Sequence, residues 1–157
     1  MTDGRDAHKG HHHQHGPPSA AGNLEPYGAR VTLRAATGGF DPQPFLVEFL
    51  GGLAAGCMDS GATVIGHLKC FLHLPGGGIA CNLTSLRAGA TCTARGAPAP
   101  VTLPPGEAAL LDLAVLVYGL PENTIDALVR AGLRLLLDPR DVSWWLDDDA
   151  APPHSVA

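Results

Sequence analysis

Hydrophobic positions follow two rhythms along the middle of the chain. Val31, Leu33 and Ala35 interleave with Thr32, Arg34 and Ala36, the period-two pattern of a half-buried strand. Asp41-Pro42 then offers a helix cap followed by proline at the first helical position. Phe45, Leu46, Phe49, Leu50, Leu53 and Cys57 recur beyond it at helical spacing. Gly51, Gly52 and Gly56 each weaken that helix by about 1 kcal/mol relative to alanine, and close packing on a sheet would account for them. Residues 62–74 return to period two. Val64, Leu68, Cys70, Leu72 and Leu74 share one face; Thr63, Ile65, His67, Lys69, Phe71 and His73 share the other. Pro75-Gly76-Gly77-Gly78 reads as a hairpin turn, and Ile79, Cys81 and Leu83 carry the apolar face onward, opposite Ala80, Asn82 and Thr84. Residues 86–100 show only weak β-character. Leu110–Tyr118 is a further strand, with Leu111, Leu113, Val115 and Val117 on one side and Asp112, Ala114, Leu116 and Tyr118 on the other. Pro121 opens a second helix with an apolar stripe of Ile125, Leu128, Val129, Leu133 and Leu136, and Asp138-Pro139 stops it.

The order strand–helix–strand–strand–strand–helix predicts an α+β two-layer sandwich of ferredoxin-like type, both helices covering one face of a small antiparallel or mixed sheet. The uncovered face is expected to carry Thr32, Arg34, His67, Lys69, His73, Asn82, Thr84, Asp112 and Tyr118. This domain spans residues 27–137. Residues 1–26, rich in His, Gly, Pro and Ala without apolar periodicity, read as a disordered arm. Residues 138–157 read as an acidic tail holding Trp144 and Trp145.

Charge and cysteine content narrow the function classes. The chain carries 10 basic and 15 acidic residues, net −5, which disfavours a non-specific nucleic-acid binder. No apolar run reaches the roughly 18 residues of a membrane span and no signal-peptide pattern opens the chain, so a cytoplasmic setting without membrane contact is expected. There the four cysteines would remain thiols. Cys70 and Cys81 read as small buried hydrophobes, Cys57 lies where the helix dipole disfavours a thiolate, and Cys92 falls in a loop. P-loop, GxGxxG, HExxH and GxSxG signatures are all missing, so the chain reads as a non-enzyme.

Two sets of residues carry candidate chemistry. His8, His11, His12, His13 and His15 form a tract whose neutral imidazoles suit a divalent transition metal such as Zn, Ni or Co, bound loosely and released as pH falls through the histidine range. A tag remnant or incidental low complexity are the bland alternatives. On the predicted open sheet face, Arg34, His67 and Lys69 suit a carboxylate, a phosphate or an acidic partner. The same face, with Ile65, Phe71, Leu116 and Tyr118 beside the charges, also suits a homodimer, or merely contact with solvent. An enzymatic use would make His67 a general base oriented by Asp112. His67-x2-Cys70-x2-His73 resembles a ligand cluster only on paper, because Cys70 faces away and the two histidines are close to 20 Å apart at about 3.3 Å per residue.

The stretch Gly61-Ala62-Thr63-Val64-Ile65-Gly66-His67-Leu68-Lys69, followed by a hydrophobic strand, a glycine turn and Ala80-Cys81-Asn82-Leu83-Thr84-Ser85, resembles the accessory domain associated with CobW-type metallochaperone GTPases. Leu110–Tyr118, Pro121-Glu122 and the following helix are similar as well. The resemblance covers roughly residues 30–137 and implies an accessory module with a metallochaperone GTPase as partner. It departs from the GTPases themselves, since the chain has no Walker A lysine motif, no GTP-base motif and no CxCC. Taken together with the His tract, it implies a metal-handling accessory protein whose α+β domain docks a partner.

Overall fold

The computed structural model describes residues 26–96 and 101–149. Six strands and two helices follow in the order β1 (Tyr27–Ala35), α1 (Pro42–Asp59), β2 (Val64–Leu74), β3 (Gly77–Leu83), β4 (Thr91–Arg95), β5 (Ala108–Tyr118), α2 (Glu122–Leu137) and β6 (Val142–Leu146). A short 3-10 turn, Asp138–Arg140, joins α2 to β6. All six strands form one antiparallel sheet in the spatial order β4-β3-β2-β5-β1-β6. The α+β class holds. The sheet, however, has six strands where the pattern predicted four, β4 and β6 being additional, and the order β4-β3-β2-β5-β1-β6 is not the four-strand ferredoxin-like sheet expected.

Both helices cover one face. α1 begins where Asp41 accepts a hydrogen bond from the Gln43 backbone N–H, with Pro42 in the first turn. It buries Phe45, Leu46, Phe49, Leu50, Leu53 and Cys57 and packs over β2, β3 and β4. α2 buries Ile125, Val129, Leu133, Leu136 and Leu137. Beneath them lie Val31 and Leu33 of β1, Leu68 and Leu72 of β2, Ile79 and Leu83 of β3 and Leu111 of β5, all nearly or wholly inaccessible. The glycines of α1 do not serve sheet packing. A methyl on Gly56 would meet Leu128 of α2 at 3.2 Å, whereas Gly51 and Gly52 face open space. The close approach is between helices, completed by Gly132 of α2 against Phe49 at 3.1 Å.

Three local corrections follow from the register. A bulge at Gly66 lies between the Ile65–Val117 and His67–Leu116 pairs, so Ile65 joins the covered core and Val64 faces outward, the reverse of strict alternation. A side chain at Gly66 would lie 2.9 Å from the Leu116 carbonyl oxygen, which explains glycine there. Cys92 is not in a loop: β4 places it directly opposite Cys81, and the two form a disulfide, so only Cys57 and Cys70 are thiols. Trp144 and Trp145 are not in a tail. They lie in β6, beside β1, with Trp144 against the core and Trp145 on the other face.

Candidate functional site

The face of the sheet away from the helices is assembled from every second residue of its strands. One row runs Arg95, Gly78, His73, Leu110, Thr32, Trp145. The next holds Thr93, Ala80, Phe71, Asp112 and Arg30, and the third Thr91, Asn82, Lys69, Ala114 and Gly28. The strand residues expected on this face are therefore on it. Thr84 falls just beyond the end of β3.

The three residues singled out for anion binding do not converge. Lys69 is paired with Asn82 and Ala114, and His67 lies one step further along β2, opposite Leu116. Arg34 stands six residues along β1 from Gly28, the β1 member of the Lys69 row, which is about 20 Å at 3.3 Å per residue. Its guanidinium lies over the Trp145 ring, 5.6 Å from the centroid. Asp112 does not orient His67 either, being four residues along β5 from His67's neighbour Leu116. It accepts from Arg30 Nε at 2.6 Å and Nη2 at 3.1 Å, and its second oxygen lies 2.7 Å from His73 Nε2. The Arg30 guanidinium, ahead of His73, holds the Asp112 carboxyl below its ordinary range, so near neutral pH it is an occupied anion and a poor proton acceptor.

Arg30, Arg95, Thr91 and Thr93 were missed. Arg30 was legible, because it continues the Thr32–Arg34 alternation one step upstream. In β4, Thr91, Thr93 and Arg95 alternate with Cys92 and Ala94, a period-two signal only five residues long. What decides that this short segment pairs is β3 alongside it, which local sequence does not show.

Between β2, β3 and β4 the open face is concave. The hollow, about 490 Å³, is lined by Lys69, Phe71, Ala80, Asn82, Thr91, Thr93 and Arg95, with Asp112 and Ala114 at its inner edge. Phe71 leans over Gly78, where an added methyl would lie 2.6 Å from its ring, and its edge meets His73 at 4.7 Å between centroids. Ala80, directly opposite Phe71, leaves only a methyl on the floor. Asn82 Oδ1 is shielded from solvent and has no hydrogen-bond partner. A larger hollow of about 850 Å³ at the end of the sheet is rimmed by Glu122, Asp126, Asp147 and Asp148. Its Asp126 is already held by Tyr27 and Arg130, at 2.8 Å each.

Among the described residues no group of three or more His, Cys, Asp or Glu side chains stands where it could hold a metal ion. His8, His11, His12, His13 and His15 lie outside the described residues. No described helix is long and apolar enough to cross a membrane. No family model, no curated protein and no solved structure matches the chain.

Proposed function

We propose that the protein is a non-catalytic binding module that takes anions on the open face of its sheet. The observation that carries this reading is a segregation of charge. The six strands hold four cations, Arg30, Arg34, Lys69 and Arg95, and one carboxylate, Asp112, and all five stand on the open face. That face is net +3, while the other described residues carry eleven carboxylates against four cations, net −7. A cationic face set on an acidic body attracts anions. Asp112 is matched internally by Arg30 and His73, whereas Lys69 and Arg95 make no ion pair among the described residues. Thermal unfolding at constant ionic strength tests this. Succinate at ten times its dissociation constant is expected to stabilise the chain by about 1.4 kcal/mol, and neutral succinamide to leave it unchanged. Equal effects of the two would contradict the reading.

A second reading rests on the five histidines between His8 and His15, whose composition favours a divalent transition metal such as Zn, Ni or Co. In it the arm chelates metal and the α+β domain docks a partner such as a metallochaperone GTPase. Calorimetric titration of Ni²⁺ and Zn²⁺ into the full chain and a form lacking residues 1–22 tests it. Micromolar binding that disappears with the arm supports metal handling. Binding weaker than tenth-millimolar by the full chain contradicts it.

A further inference from the structure

Of the open-face groups without a partner among the described residues, Lys69, Arg95 and Asn82 line the hollow between β2, β3 and β4, while the Arg34 Nε lies outside it. Lys69 on β2 and Arg95 on β4 stand at opposite corners. They are two strands apart, about 10 Å, and four residues apart along the strands, about 13 Å. Both side chains line the hollow and bracket it from these two corners. Thr91 and Thr93 line the β4 side with hydroxyls, and Asn82 lies between Thr91 and Lys69. Asn82 Oδ1 is shielded from solvent without a partner and no side-chain hydrogen bond of the described residues engages this amide, so its NH2 end is available to the hollow it lines. The nearest carboxylate, Asp112, is held by Arg30 and His73.

We infer that this hollow is a binding site for a small organic dianion, a dicarboxylate or a phosphate monoester, clasped between Lys69 and Arg95 with Asn82 and the two threonines donating to its oxygens. The inference rests on the anion-binding reading of the open face and fixes where on that face the ligand lies. Every group offered is a donor and two are full cations, which suits an acceptor-only ligand of charge −2. Ala80 and Ala114 keep the floor shallow and apolar, giving a short hydrocarbon segment a surface to lie on. Arg34 and His67 lie outside the hollow.

Calorimetric titration of the full chain with succinate, with inorganic phosphate and with neutral succinamide tests this. The wild-type chain is expected to bind at least one of the two anions and not succinamide; which anion binds more tightly separates carboxylate from phosphate recognition. In Lys69→Ala/Arg95→Ala, loss of charge-assisted contacts weakens binding at least about tenfold. Asn82→Ala weakens it severalfold while leaving the thermal midpoint of the free chain unchanged or higher, because it removes a shielded acceptor the fold never satisfied. That pairing separates loss of a ligand contact from loss of the fold. Arg134→Ala, on the exposed side of α2, binds as wild type. Binding that survives Lys69→Ala/Arg95→Ala but falls in Arg34→Ala overturns the hollow and leaves the broader reading standing. Absence of binding by either anion overturns both.

Discussion

Gly78 is the position on the open face least able to accept a single methyl group. An added Cβ would lie 2.3 Å from the Leu72 carbonyl oxygen and 2.6 Å from the Phe71 ring. Gly78→Ala is therefore expected to cost about 1–3 kcal/mol in urea unfolding. Gly51→Ala and Gly52→Ala have nothing within 4 Å of the new methyl and are expected to stabilise α1 by about 0.4–1 kcal/mol each. No change at Gly78, or destabilisation at Gly51 and Gly52, would contradict the packing described. The sequence alone showed three costly glycines in one helix. It did not show which face a neighbour, only Gly56, so sheet packing was the wrong explanation for all three. Cysteine chemistry is equally positional. Burial pushes the Cys70 thiol up to about 12, and Cys57 is also raised by burial. The folded chain is expected to show no fast-reacting thiol toward an aromatic disulfide reagent, two after unfolding, and four after unfolding with reductant. Four without reductant would remove the Cys81–Cys92 bond from the account.

At the scale of elements, the outer strands are held by features remote in sequence. The Cys81–Cys92 bond ties β4 to β3 across a separation of 11 residues, and β4 is otherwise largely exposed. Closing a loop of that length is worth roughly 2–3 kcal/mol through the unfolded chain. Reduction without denaturant is thus expected to lower the unfolding midpoint and loosen amide protection first in β4. Uniform loss of protection across the sheet would contradict this. β6 is held differently. Tyr27 of β1 donates to Asp126 of α2, and Arg130 donates to Asp126 and, at 2.7 Å, to Asp149 just past β6. Arg130 holds the carboxyls of Asp126 and Asp149 below their ordinary range, and burial with the Asp126 bond pushes the Tyr27 hydroxyl above its own. A depressed carboxyl stabilises the fold above its unfolded pKa near 4 and loses that contribution as pH falls through the lower folded value. Asp126→Asn is expected to cost about 0.5 kcal/mol at neutral pH and to flatten the stability profile below pH about 4. An unchanged acid limb would contradict the role given to this network. Trp144 and Trp145 within an acidic stretch read as a tail because neither the pairing with β1 nor the Tyr27–Asp126–Arg130–Asp149 links are visible in local composition.

Across the whole molecule, alternation was enough to sort the sheet into its two faces. It found the four long strand patterns, both helices and nearly all the outward residues, because one face is apolar under the helices and the other is not. It failed at Gly66, where one inserted residue reverses Val64 and Ile65, and at the distances along strands that separate Arg34 from Lys69. Spacing within a strand is fixed by the backbone, but which row a residue joins depends on register with strands far away in sequence. The charge contrast between the open face and the rest of the chain emerges only when those rows are assembled, and the central claim rests on it. A nitrogen-15 amide spectrum of the full chain, recorded as succinate or phosphate is added at constant ionic strength, tests that claim most directly. Shifts are expected only in β2, β3 and β4, centred on Lys69, Ala80, Asn82 and Thr91–Arg95, with the helices silent. Shifts confined to the helices, or no saturable shift with either anion, would contradict it.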